Sequence, residues 1–177
     1  MVITGNSLLI KQINRMAILR TIQKHDGISR LELARTMGMS NSTVSTLVAE
    51  LLSAGIVKEL GEGKSIGGRR PIRIGINEQG GYILGVDIGS SKITCGIIDL
   101  RASVREKIAV QTPKEKENKI PTIIDIIEKT KQLGKEKGMS NFLGIGVAAP
   151  GLVDVNNGII VSSANLEWKN VELKKRN

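Results

Sequence analysis

Three features of the sequence predict an α/β chain made of two small units. Residues 1 to 80 carry apolar residues at helical spacing and close on a Gly- and Arg-rich segment; residues 81 to 177 carry apolar runs typical of strands, interrupted by one long helical pattern; and positive charge is concentrated in the first part. A length of 177 residues is enough for two modest cores. With 40% hydrophobic residues but one Trp, one Tyr and one Phe, those cores must be aliphatic, and the shortage of rings argues against stacking on single-stranded bases. Net charge is +9: eleven Lys and Arg face six Asp and Glu up to residue 80, against fifteen and eleven beyond it, so a polyanionic partner is expected for the first unit alone. The single cysteine, Cys95, lies in an apolar run, which excludes a disulfide framework, fits a reducing cytoplasm and reads as a core position. No apolar run approaches the ~20 residues that span a bilayer, and MVITGNSLLIKQINR lacks the pattern of a cleaved signal. A cytoplasmic protein with no membrane partner is expected.

The first unit is read over residues 1–78. In residues 6 to 24, Leu9, Ile13, Met16, Ala17 and Leu19 to Ile22 recur at roughly helical spacing behind Asn6 or Ser7 as cap, which predicts a packing helix. A second helix runs from Ser29, with Glu32 completing a capping box, to Met37, where Gly38 supplies a left-handed turn. A third starts near Ser40 or Asn41 and runs to about Ala54, burying Val44, Leu47, Val48, Leu51 and Leu52 and exposing Asn41, Ser42, Thr43, Ser45 and Thr46. Such a polar first turn suits a helix that enters the major groove of DNA, where short hydroxyl and amide side chains approach phosphates and base edges closely. GIVKELGEGKSIGGRRPIRIGIN then predicts strands at 56–60 and 72–76 around a Gly-rich tip, a β-hairpin wing. Lys58, Lys64, Arg69, Arg70 and Arg73 oppose only Glu59 and Glu62 there. Taken alone, GGRRP reads equally as an arginine pair for a narrow minor groove or as a solvated linker. Ser40, Asn41, Ser42, Thr43, Ser45, Thr46, Lys64, Arg69 and Arg70 are the candidate DNA contacts.

The second unit is read over residues 79–177. GYILGVDIG, KITCGIIDL and VREKIAVQT predict three strands in an antiparallel meander. A helix follows with Ile120, Ile123, Ile124, Ile127 and Leu133 on one face; FLGIGVAAPG is a continuous apolar strand ending in a loop, and NNGIIVSSANL adds another strand. The order βββαβ is that of an open mixed sheet covered by a helix, half of an actin-like (ribonuclease H-like) nucleotide-binding fold. In the first turn, Asp87, Gly89, Ser90, Ser91 and Lys92 have the chemistry to hold a phosphate and its hydrated Mg²⁺. The same residues also make an ordinary tight hairpin turn.

Together, SRLELARTMGMSNSTVSTLVAELLSAGIVKE, GGRRP, GVDIGSSK and LGIGVAAPGLVD followed by GII and ANLEW resemble the ROK family of repressors, open reading frames and sugar kinases over nearly the whole chain. A winged helix-turn-helix ahead of the sugar-kinase-like domain resembles the repressor branch, of the xylose and N-acetylglucosamine type. That resemblance implies a repressor that binds double-stranded operator DNA as a homodimer and responds to a small sugar. It also implies Gly151 of the APG loop, with Pro150, and Asn165 as sugar-facing positions; Asn165 reads equally as a turn residue satisfying its own backbone. The family's phosphate turn, D-x-G-G-T-K, is DIGSSK here, with Ser90 in place of Gly and Ser91 in place of Thr, which puts nucleotide binding in doubt. The family's catalytic Asp, its sugar-binding Glu and His and its Cys-rich zinc site fall beyond residue 177, so the chain is expected to be incomplete. With His25 and Cys95 each isolated, neither metal nor cofactor is expected, nor enzyme activity. An ATP-dependent sugar kinase with a fused DNA-binding domain, and a DNA-binding remnant without sensor function, are the alternatives.

Overall fold

The computed structural model describes residues 7–25, 27–63 and 70–173. The chain divides into two compact units, Met1–Gly80 and Gly81–Asn177.

In the first unit, helices α1 (Ser7–Lys24), α2 (Arg30–Met37) and α3 (Asn41–Ser53) pack with strands β1 (Ile28–Ser29), β2 (Val57–Glu62) and β3 (Ile72–Ile76). The strands form an antiparallel sheet in the order β1-β3-β2. The core is aliphatic, as composition requires: Ile18 and Ile22 of α1, Leu33 of α2, Val44 and Val48 of α3 and Ile74 of β3 are fully buried. Local chemistry sets the helix ends. The Ser29 hydroxyl accepts from the Glu32 N–H while a Glu32 carboxylate oxygen accepts from the Ser29 N–H, and Gly38 closes α2 at φ 61°.

Hydrogen bonding to its carboxylate from the Ser29 side chain, and then from the Ser29 N–H, holds the Glu32 carboxyl below its ordinary value of 4.5. A carboxyl whose pKa is depressed on folding contributes stability above its unfolded pKa and loses it as pH falls through the folded one. The first unit is therefore expected to weaken on acidification below pH 4.5, and Glu32→Gln, which keeps the cap geometry but cannot titrate, should lack that component in chemical unfolding followed against pH.

The face of α1 differs from the sequence expectation. Only Ile18 and Ile22 are buried, whereas Leu9, Ile13 and Met16 are 54%, 57% and 50% exposed. At ~100° per residue, Leu9 is half a turn out of phase with Ile18, so both sets cannot face one core. In α3 the expected residues are buried except Leu52, which is half-buried.

The second unit holds a four-stranded sheet in the order β6-β5-β4-β7. The expected meander is present: β4 (Tyr82–Ile88), β5 (Lys92–Asp99) and β6 (Val104–Gln111) are antiparallel neighbours. Helix α4 (Lys116–Glu136) then crosses over, so that β7 (Phe142–Ala148) runs parallel to β4. A second antiparallel sheet, β10-β9-β8, is built from β8 (Leu152–Asp154), β9 (Ile159–Ser163) and β10 (Trp168–Glu172). Leu84, Val86, Ile88, Ile93, Cys95 and Ile97 of the large sheet form one cluster with Ile123 and Ile126 of α4 and with Ile160, Leu166 and Trp168 of the small sheet. Burial pushes the Cys95 thiol pKa up, as expected of a core cysteine.

One expectation for this unit is corrected. Ile124 is 57% exposed, and the buried row of α4 is Lys119, Ile123, Ile126, Thr130 and Gly134. Gly134 sets this phase: a Cβ there would lie 2.7 Å from Ile97 and 2.8 Å from Phe142, so the helix approaches the sheet most closely along the glycine. The expected apolar strand is present as β7, in which Ile145 and Val147 are 53% and 46% exposed. β7 lies at the sheet edge, and α4 packs on β4, β5 and β6.

Candidate functional site

The polar half of α3 stands clear of the first unit's core, with Asn41, Ser42, Thr43, Ser45 and Thr46 all exposed. No acidic residue occupies its first turn, so the positive end of the helix dipole is unopposed. The five side chains are not equivalent. The Ser40 hydroxyl caps the helix by accepting from the Thr43 N–H at 3.1 Å and shares hydrogen bonds with the Ser42 and Thr43 hydroxyls. The Thr46 hydroxyl donates to the Ser42 carbonyl at 3.0 Å. Asn41 and Ser45 make no side-chain hydrogen bond among the described residues. Spacing cannot distinguish a hydroxyl engaged by its own helix from a free one.

Arg35 was missed by the sequence reading. It is exposed near the end of α2 and lines a concave notch with Gly38, Met39, Ser40 and Asn41. Its place in the last turn before the Gly38 stop was the available signal. In the wing, Lys64 and Arg69 lie outside the described residues. Arg70 is exposed and faces Glu62 at 3.6 Å with both side chains 65% accessible, a pairing too solvated to hold the guanidinium from another anion. Arg73 has a structural role: its guanidinium donates twice to the Gly27 carbonyl, tying β3 to the turn before β1.

In the second unit, Gly89 to Lys92 form a tight hairpin turn closed by the Gly89 N–H donating to the Lys92 carbonyl. Thr112 braces it, donating from its N–H to the Ser91 carbonyl and from its hydroxyl to the Gly89 carbonyl. Asp87, Ser90, Ser91 and Lys92 are exposed. Asp87 is level with Ala148 across the parallel β4–β7 pair, so the phosphate-like turn and the loop carrying Pro150 and Gly151 leave the sheet at the same end. Carboxyl ends of parallel strands are where open α/β sheets bind ligands. Gly151 packs against β9, and Asn165 is exposed in the Ala164–Glu167 turn with no side-chain hydrogen bond among the described residues. No cluster of His, Cys, Asp or Glu able to hold a metal occurs among the described residues, and no described helix is long and apolar enough to cross a membrane.

Helices α2 and α3 around a short turn, followed by a β-hairpin, define a winged helix-turn-helix. The mixed sheet with its crossover helix and paired end loops is the first part of an actin-like domain. The sequence matches the winged helix-turn-helix DNA-binding family over residues 12–58 and the ROK family over residues 83–176. The chain belongs to the ROK family. It is 35% identical over 174 residues to the xylose repressor of Caldicellulosiruptor bescii, covering 96% of this chain and 43% of that protein. With the Bacillus subtilis xylose repressor identity is 33% over 177 residues, covering 96% and 44%, and with the N-acetylglucosamine repressor of Escherichia coli O6:H1 it is 27% over 174 residues, covering 94% and 41%. The chain thus spans less than half the length of these relatives. Its fold matches a crystal structure of a ROK family transcriptional regulator, a homologue of the E. coli MLC protein, at TM-score 0.75 and 21% identity, over 91% of this chain and 41% of that one.

Proposed function

We propose that this protein is a repressor of sugar-utilisation genes that binds double-stranded operator DNA in the cytoplasm as a homodimer and releases it when a xylose-type sugar occupies the ROK unit. The observation that carries this reading is the exposed N-terminal half of α3, acid-free in its first turn, where Asn41 and Ser45 hold unspent polar side chains ahead of a basic wing. One such helix reads one half-site, so two copies are needed for a full operator. Release follows only if the sugar prefers the arrangement that binds DNA weakly, because a ligand indifferent between two states shifts neither. The shared end of β4 and β7, with Gly151 and Asn165 nearby in sequence, is the place assigned to the sugar. The relatives' names, xylose repressor and N-acetylglucosamine repressor, support the class of effector.

Asn41→Ala is expected to cost about 1–3 kcal/mol on the preferred sequence and to relax base preference there. In vitro selection followed by gel-shift titration checks this, and equal loss on every duplex would reduce Asn41 to a phosphate contact. Repeating the titration with xylose, N-acetylglucosamine and glucose tests the effector: affinity unchanged by all three would leave a DNA binder without this sensor. Sugar-dependent ADP release by the same chain would overturn the repressor reading in favour of a kinase.

A further inference from the structure

We propose that the DNA-facing surface extends from α3 onto the first half of α1, where Asn14 and Lys11 grip the sugar-phosphate backbone beside the half-site. The proposal rests on the DNA-binding reading above. A groove runs between the two helices, lined by Ser7, Lys11 and Asn14 of α1 and by Ser42, Thr43 and Thr46 of α3. The side of α3 expected to approach DNA is therefore continuous with α1, although only the C-terminal half of α1 contributes fully buried residues to the core.

Ile10 and Leu47 also line the groove, and Lys11 is its one cation among the described residues, on a helix that is basic throughout. From Ser7 to Lys24, α1 carries Lys11, Arg15, Arg20 and Lys24 and no acidic residue. Asn14 is half-buried, yet its amide makes no hydrogen bond among the described residues. Its amide is not among the buried polar atoms without a partner, so it reaches water and is open to donate to an acceptor oxygen. Lys11 meets Glu50 at 2.6 Å, with the two side chains 49% and 34% exposed. Such a pair is weak enough for a phosphate to compete with it, and it holds the ammonium at the rim of the groove. Because α1 flanks α3, these groups would meet the wall of the major groove while Asn41 and Ser45 meet its floor, so they set register and affinity without reading sequence.

The test uses the full chain, fluorescence anisotropy, and two probes: a duplex recovered by in vitro selection and a mixed-sequence duplex. Asn14→Ala and Lys11→Gln are each expected to weaken both duplexes by a similar factor, about 3- to 10-fold. Lys11→Gln should also flatten the dependence of log affinity on log salt by about one unit, while Asn14→Ala leaves that slope unchanged. Gln12→Ala, on the other side of α1 beside Leu9 and Ile13, should change neither. Unchanged affinity in both variants with wild-type melting overturns the proposal, as does a loss confined to the selected duplex, which would mean base contact. If the unaltered chain binds neither duplex, it is the DNA-binding reading itself that fails.

Discussion

Gly151→Ala is expected to destabilise the second unit by about 3 kcal/mol or more. Gly151 adopts φ 117°, where an L side chain is strained whatever space surrounds it. Space is also lacking: an added Cβ would lie 2.1 Å from the Ser162 carbonyl oxygen and 2.9 Å from the Ser163 Cα. Both obstacles are backbone atoms of β9, so relief requires the APG loop to lift away from the small sheet. That displacement would occur at the end of the sheet where Asp87 and Ala148 are level. Gly146→Ala is the control, since a Cβ there meets nothing within 4 Å, and a change within about 0.5 kcal/mol is expected. Urea unfolding of the two variants separates the cases; equal destabilisation would show that the Gly151 loop has freedom this geometry denies it.

What the sequence made legible was governed by short-range chemistry. Ser29, Glu32 and Gly38 delimit α2 because a capping box and a left-handed stop involve only neighbours along the chain. The meander was readable because apolar runs bounded by Gly, Ser and Asp have few other ways to satisfy their backbone. Features decided by tertiary approach were not readable. The buried row of α4 is phased by Gly134, a residue with no side chain to weigh in an apolar pattern. β10 escaped notice because Trp168–Glu172 contains Asn170 at φ 52° and follows Glu167 at φ 57°, a conformation that polar composition does not announce as a strand.

The candidate site divides along the same line. That α3 exposes Asn41, Ser42, Thr43, Ser45 and Thr46 follows from helical period against a fixed apolar stripe. Which of them is free does not, because capping and back-bonding engage Ser42, Thr43 and Thr46 through geometry at the helix start. The groove between α1 and α3 likewise depends on how two helices pack, and Asn14 gains its interest only from standing in that groove. Among the wing cations the structure separates Arg73, spent on the Gly27 carbonyl, from Arg70, which is solvated.

Asp99→Ala should lower the stability of the second unit by about 3 kcal/mol while leaving the first unit's unfolding unchanged. Asp99 is 2% exposed at the end of β5 and serves four donors. One carboxylate oxygen accepts from the Arg101 and Ser103 N–H groups at 2.8 and 2.9 Å, organising the turn into β6. The other accepts from the Arg105 guanidinium through Nε and Nη2, both at 2.6 Å, a two-pronged pairing in which the arginine remains 46% accessible. Alanine removes the carboxylate that accepts from the Arg101 and Ser103 N–H groups, while Arg105 can turn to water, which limits the loss to less than that of a fully buried pair. Asp99→Asn isolates the charge: its amide oxygen can still accept from the turn, but the pairing with Arg105 weakens, and a smaller cost of about 1–2 kcal/mol is expected. Calorimetry of the whole chain resolves the question, because the loss should appear only in the transition belonging to Gly81–Asn177. If both transitions moved together, the two units would unfold as one, and the charge at Asp99 would be felt beyond its own unit.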